Sequence, residues 1–364
     1  MKIGLDGKRA FYNNTGLGQY SRAFIEQLSQ EGQDVFVFAQ EYENSKLWTA
    51  GPEFHLIKPS GPPILWRSVG VAQEPAFKKL DIYHGLSHEL PVHPKKEHPR
   101  LVVTMHDCIF KRYPKQYGWW DRKIYNLKWK YAVQRSDAII AISKATADDL
   151  IRFYDADPKK ITINPLFVSS DFHTDYSKAE IEETTDLLPF DEYFLFVGTH
   201  HPRKNLHLVL RAYSENKGEF PPLLIIGSID QNSERYIQEH GLRSMVYRNE
   251  TYYSQKQLAH LYKRAIALLY PSLYEGFGLP VLEAMACGCP VIGSNTSSIP
   301  EVGGQAIIYC DPQSVDCLSN HMNALYKNEN ERALWSQKAL TRSTEFSADK
   351  HVNQMLSTYQ KLLG

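Results

Sequence analysis

The chain has 364 residues, with 41 Lys/Arg against 41 Asp/Glu, long for one core and ample for two domains of ordinary size. Zero net charge leaves no global field for gripping nucleic acid, and no apolar run approaches the roughly 18 residues that a membrane-spanning helix needs. The charge is uneven, however: residues 1–175 hold 24 Lys/Arg against 20 Asp/Glu, so the front is +4 and the remainder −4.

From the N-terminus, short apolar or β-branched runs predict strands at KIGLD (2–6), DVFVFA (34–39), DIYHG (81–85), LVVTMH (101–106), AIIAIS (138–143) and KITINP (160–165). Segments with helical spacing and polar stops separate them, such as QYSRAFIEQLSQEG (19–32) and KATADDLIRFYD (144–155). A polar stretch then interrupts the rhythm, which restarts with YFLFVG (193–198), PLLIIG (222–227), MVYR (245–248), IALLYP (266–271), PVIG (290–293) and AIIY (306–309). Alternating β and α units imply an α/β fold of parallel sheets covered by helices on both faces. The interruption divides the chain into a domain at 1–175, a linker at 176–192 and a second Rossmann-like domain at 193–345, with a terminal helix at 346–364 crossing back to the first. Two such domains are expected to form a cleft where ligands bind at the carboxyl ends of strands.

Three strand-end loops carry chemistry. NNTGLGQY (13–20) places Gly16 and Gly18 ahead of a helix expected near Gln19, where glycine permits close backbone approach or serves only a turn. VGTHHPRKN leaves its strand at Gly198 and sets Arg203 and Lys204 before Asn205, a candidate N-cap. Two cations at a helix N-terminus oppose its dipole unless an anion sits there as well. PSLYEGFGLPVLEAMACGCPVI (271–292) places Pro280 at a helix start, so the amides of Gly276, Phe277, Gly278 and Leu279 converge on an anion site. Glu283 is expected in that helix's first turn, where it would complement the dipole or accept hydroxyl hydrogen bonds. Glu275, ahead of the glycines, has no such role in the helix and would suit neutral hydroxyls.

The context P-S-x-x-E-G-F-G-L-P-x-x-E-A-M-A-x-G-x-P-V, with VGTHHPRKN, TGLGQY, VTMHD (103–107) and AISKATADDL (141–150), resembles the family 4 retaining glycosyltransferases of the GT-B fold. The resemblance extends over most of the chain. It implies two Rossmann-like domains facing across a cleft and transfer of a hexose from a nucleotide sugar. It also implies that Glu275 contacts the transferred sugar, Glu283 the nucleotide ribose, Arg203 and Lys204 the diphosphate, and His106 the reacting sugar. Gly16, Gly18, Gly198, Gly276, Phe277, Gly278 and Leu279 complete the expected donor site. No metal and no cofactor is expected. The donor is GDP-mannose or a UDP-sugar, and the acceptor a saccharide or lipid-linked saccharide of a cell-surface glycan. A non-catalytic or epimerase member of the fold is the alternative to a transferase. Two departures stand out: LFVSSDF (166–172) replaces an Asn-Gly usual after ITINP, and the loop around MVYRNETYYSQKQL lacks its usual glycine, leaving the nucleobase contacts open.

Asp155-Ala-Asp157 matches a metal-binding Asp-x-Asp motif but precedes Pro158 in a helix-to-strand connection, so it reads as a turn. Residues 111–135 contain eight Lys/Arg, one acid, three Trp and four Tyr. That run is either a domain helix with aromatics packed beneath a cationic face or an interfacial helix making peripheral membrane contact. Five cysteines without a Cys-x-x-Cys pair suit a reducing cytosol, and MKIGLDGKRA reaches charge before any apolar run, unlike a signal peptide. The expected location is therefore the cytoplasm, with the inner face of the membrane open as a docking place.

Overall fold

The computed structural model describes residues 1–13, 16–40, 48, 53–60, 65–92, 99–186, 188–199, 201–249 and 253–364. Two compact units divide the chain, one of residues 1–167 with 347–364 and the other of residues 168–346.

The first unit is built on β1 (Lys2–Asp6), β2 (Asp34–Phe38), β3 (His55–Ile57), β4 (Ile82–Gly85), β5 (Arg100–Met105), β6 (Ala138–Ala141) and β7 (Ile161–Ile163). They lie in the order β3-β2-β1-β4-β5-β6-β7, every pair parallel. The second unit holds β8 (Phe194–Val197), β9 (Leu223–Ile226), β10 (Val246–Asn249), β11 (Ala267–Tyr270), β12 (Val291–Ser294) and β13 (Ile308–Cys310). Its order is β10-β9-β8-β11-β12-β13, again parallel throughout. Parallel sheets need cover on both faces, so their inner strands carry unbroken apolar runs such as AIIA in β6 and ALLY in β11, buried at every position. Each predicted strand forms, with ends shifted by a residue or two. β3 was not predicted because it has three residues, begins at an exposed His55 and lies at the sheet edge.

Both sheets reverse strand order once, between β1 and β4 and between β8 and β11. At such a point successive connections depart to opposite sides, which opens a crevice at the strands' carboxyl ends.

The expected linker at 176–192 contains a helix instead, Lys178–Thr185, within the second unit. A capping box starts it: the Ser177 side chain accepts from the Glu180 amide, and Glu180 accepts in return from the Ser177 amide at 3.1 Å. The helix packs on the helix Gln255–Arg264, with Thr184 Oγ1 2.8 Å from His260 Nδ1. The terminal helix Ala348–Leu363 packs on the helix Gly16–Gln30 in the first unit. There His351 Nδ1 lies 2.7 Å from the Pro165 carbonyl, and Tyr359 OH lies 2.6 Å from His84 Nδ1.

Candidate functional site

The chain leaves β8 through Gly198 and a 3-10 turn, Pro202–Lys204, before the helix Leu206–Glu215. It leaves neighbouring β11 through Pro271–Gly278 before the helix Leu279–Ala286. The two loops are joined by the Leu273 amide donating to the Arg203 carbonyl at 2.7 Å. Asn205 stands before its helix but does not cap it. With φ 59° it turns the chain, and its Nδ2 donates to the Pro271 carbonyl at 3.0 Å and the Pro312 carbonyl at 2.7 Å. The expected N-cap is thus a bridge that positions both loops.

This bridge sets Arg203 and Lys204 against Glu275. Arg203 Nη1 lies 2.8 Å from Glu275 Oε2 and Lys204 Nζ 2.8 Å from Oε1, Glu275 being buried and both cations largely so. Lys204 Nζ also donates to Tyr270 OH at 2.6 Å, and Arg203 to the Tyr274 carbonyl at 3.2 Å. Burial pushes the Glu275 carboxyl up, but Lys204 and Arg203 together outweigh it and hold the group below its ordinary value. Burial lowers Lys204, and Glu275 only partly restores it against the neighbouring Arg203. The trio keeps one net positive charge. Hydrogen bonds from Lys204 and Ser272 also help to keep Glu275 ionised.

The glycine bend is anchored from β12. Ser298 Oγ donates to the carbonyls of Glu275 at 3.0 Å and Phe277 at 2.8 Å, and the Glu275 amide donates to Ser297 Oγ at 2.9 Å. Gly278 has φ +106°, and a Cβ there would lie 2.7 Å from Ile299 Cδ1, so only glycine makes the turn. The helix begins at Leu279, with Pro280 in its first turn. Among the described residues the amides of Phe277, Gly278 and Leu279 have no acceptor. That is the geometry of an anion site at a helix N-terminus.

Glu283 lies in the helix's second turn, not its first, so the expected dipole-complementing role falls away. It is 7% exposed, and Tyr262 OH donates to its Oε2 at 3.0 Å. Burial dominates over that bond and over Lys204 and pushes the carboxyl up to about 7. Tyr262, Tyr270, Ser272, Ser297 and Ser298 were not singled out by sequence. The tyrosines looked like core aromatics at regular spacing, whereas NTSSIP after β12 offered a readable signal, a polar loop at a strand's carboxyl end.

A Cβ at Gly198 would meet ordinary contacts, 3.4 Å from Phe196 and 3.6 Å from Lys204. Gly198 is thus not sterically required. In the first unit, Gly16 opens the helix Gly16–Gln30, which starts three residues before the expected Gln19. A Cβ on Gly18 would lie 1.8 Å from the Asn13 carbonyl oxygen, so close packing explains that glycine; Asn14 and Thr15 of the same loop lie outside the described residues. The same holds for His200 and for residues 250–252 of the suggested nucleobase loop.

His106 follows β5 and is 4% exposed. Its Nε2 is 2.8 Å from the Leu86 carbonyl, which can only accept, so Nε2 carries the proton and Nδ1 is left as an acceptor. Burial lowers its pKa to about 4, keeping the ring neutral. His88 Nε2 accepts from the His106 amide at 3.0 Å. Asp155 ends the helix Lys144–Tyr154 at φ 52°, and Asp157 caps the turn Pro158–Lys160, so the Asp-x-Asp pair is a structural turn. The described residues contain no cluster of metal-ligating side chains and no helix long and apolar enough to cross a membrane.

Residues 14–172 match the family described as Glycosyltransferase Family 4, and residues 178–342 match Glycosyl transferases group 1. The chain is 32% identical over 290 residues to the O-antigen chain mannosyltransferase B of Escherichia coli, covering 77% of this chain and 74% of that one. It is 31% identical over 240 residues to the serotype-specific mannosyltransferase WbdA of the same organism, 63% of this chain but 29% of WbdA. Among solved structures it resembles Anabaena HepE in complex with UDP-glucose, with TM-score 0.75 and 15% identity over 99% of this chain and 100% of HepE.

Proposed function

This chain belongs to the family 4 glycosyltransferases of the GT-B fold, and we propose that it moves mannose from GDP-mannose to a saccharide or lipid-linked saccharide of a cell-surface glycan, with retention of configuration. The observation that carries this reading is the buried Arg203–Glu275–Lys204 trio beside three amides without acceptors. Breaking a glycosyl–phosphate bond develops negative charge on the departing diphosphate and positive charge on the sugar ring. Arg203, Lys204 and the amides of Phe277, Gly278 and Leu279 receive the former as fixed donors, which lowers the barrier because no solvent must reorganise. Glu275 faces hydroxyls of the sugar and lies close enough to the developing cation to favour it. Glu283 accepts from the ribose hydroxyls. Neutral His106 offers Nδ1 as a hydrogen-bond acceptor and is too weak a base at about pKa 4 to serve as the main proton acceptor. The positive charge that a metal would supply comes from side chains and backbone, so the reaction runs without one.

Mannose is favoured by the mannosyltransferase relatives. A UDP-sugar is the second reading, favoured by likeness to a protein solved with UDP-glucose. The test is release of nucleoside diphosphate from GDP-mannose and from UDP-sugars, with and without a mannose-terminated oligosaccharide. Acceptor-dependent GDP release supports the reading and UDP release the alternative. Donor binding without release under any acceptor would make the chain a non-catalytic member of its family.

A further inference from the structure

The helix Trp119–Arg135 departs from the pattern of a surface helix. Its inner side is ordinary: Trp129, Ala132 and Val133 are buried. Trp129 stacks on His88 with centroids 4.1 Å apart and meets Phe110 edge-on at 4.6 Å. The outer side of such a helix is normally polar. Here Trp120 and Leu127 are each 71% exposed, and Trp119 and Ile124 about half exposed. At 3.6 residues per turn, Trp120, Ile124 and Leu127 fall within an arc of about 60°, nearly opposite the buried positions. Exposed apolar groups scattered singly need no explanation, but a contiguous band marks an interaction surface.

Charge decides what meets it. Lys115, in the turn before the helix, and Lys123 and Lys130, on the flank of the band nearest Trp119, are exposed, and Lys123 Nζ lies 3.8 Å over the Trp119 ring. Asp121 is the one acid in residues 111–135. Lys128 and Arg112 are turned to Glu89 and Asp149, so they hold the unit together instead. A second copy of this face would bring like charges together, which disfavours self-association. A chain of zero net charge that gathers cations around exposed indoles is complementary to an anionic surface with an apolar interior.

We propose that this face docks on an anionic lipid bilayer, with Trp119, Trp120, Ile124 and Leu127 at the headgroup–acyl boundary and Lys115, Lys123 and Lys130 on lipid phosphates. Trp129 takes no part, being committed to the core. The inference rests on exposure and charge in the first unit and does not depend on the donor-site reading. Docked in this way, the enzyme meets acceptors carried on lipid.

The test is sedimentation of the full chain with vesicles, in the absence of nucleotide sugar. The wild type is expected to bind phosphatidylglycerol-containing vesicles, to ignore pure phosphatidylcholine, and to release as salt is raised. A lysine near an anionic surface is worth roughly a fivefold change in partitioning, so replacing Lys115, Lys123 and Lys130 together with Ser lowers it on the order of 100-fold. Trp120→Ser with Leu127→Ser lowers binding at unchanged charge, and because all five sites are exposed, both variants keep the wild-type melting curve. A wild type that stays in the supernatant overturns the proposal, as does equal binding to neutral vesicles. A wild-type dimer that becomes monomeric in the Trp120→Ser/Leu127→Ser variant also overturns it, since the face would then be a protein contact.

Discussion

Glu283→Gln separates binding from stability at one buried position. The wild-type carboxyl is 7% exposed, has Tyr262 OH at 3.0 Å, and is pushed by burial from an ordinary 4.5 up to about 7. Between those values the folded protein holds a proton that the unfolded chain has released. Stability therefore falls as pH rises through this window and levels off above it. The shift corresponds to about 3 kcal/mol at 1.36 kcal/mol per pH unit. Glutamine removes that cost while keeping an oxygen for Tyr262, so at pH 8 the variant should melt higher than wild type, and at pH 5 the difference should shrink. Donor binding should move the other way, because ribose hydroxyls bond more strongly to a carboxylate than to an amide. At pH 6 only about a tenth of a group with this pKa is ionised, so wild-type Kd for the nucleotide sugar, whose doubly esterified diphosphate does not itself titrate in this range, should weaken roughly tenfold between pH 8 and pH 6. The variant should bind more weakly at pH 8, without that pH dependence, and raise donor KM more than it lowers kcat. Calorimetric titration with GDP-mannose and a UDP-sugar and thermal unfolding, both across pH 5 to 8, read the two effects. A Glu283→Gln protein less stable than wild type at pH 8, or a wild-type Kd flat with pH, would refute the reasoning.

Lys204→Ala should lower turnover on the order of 10²-fold by removing charge from the leaving group, and near wild-type kcat/KM would take Lys204 out of the mechanism. Glu275→Gln should depress kcat more than it changes KM, and should tighten nucleoside diphosphate binding because Arg203 and Lys204 lose their shared anion. Proportionate effects on both parameters without tighter product binding would mean that Glu275 only holds the loop. Chelator should leave the rate unchanged, because fixed cations and amides occupy the diphosphate position; loss restored by Mg²⁺ or Mn²⁺ would overturn that assignment.

What the residues disclosed by themselves follows from the range of each signal. Strands such as β6 and β11 were legible because a strand buried on both faces reads as an unbroken apolar run. The helix Lys178–Thr185 was not, although its Ser177/Glu180 capping box stands in the sequence, because its polar surroundings read as a linker and its packing on Gln255–Arg264 is tertiary. Arg203, Lys204 and Glu275 could be singled out as charges at strand ends. Their ion pairing could not, since no period connects residue 203 with residue 275 and the link runs through strand order and Asn205. Tyr262 was hidden for the opposite reason: in QKQLAHLYKR it fits the helical apolar stripe, and its hydroxyl becomes informative only beside Glu283. In residues 111–135 composition alone left two readings open, and burial splits the tryptophans, with Trp129 inside and Trp120 outside.

The two glutamates of the glycine bend differ by eight positions and occupy opposite electrostatic states. Glu275 precedes the bend, meets two cations and is held ionised. Glu283 lies beyond it in a buried helical turn, accepts from the neutral Tyr262 hydroxyl, feels Lys204 too weakly to offset its burial, and is pushed toward its neutral form. A structural ion-pair network would not leave the second acid in such a position, since an uncompensated buried carboxyl costs stability at neutral pH. The cost is explained if a ligand returns it by bringing hydroxyl donors to Glu283. Between the two acids the backbone offers amides without acceptors among the described residues, and beside it Arg203 and Lys204 share Glu275. The proposed donor presents its groups in a matching order, sugar hydroxyls for Glu275, diphosphate for the bend and ribose hydroxyls for Glu283. Neither acid alone motivates that proposal; the contrast between them does.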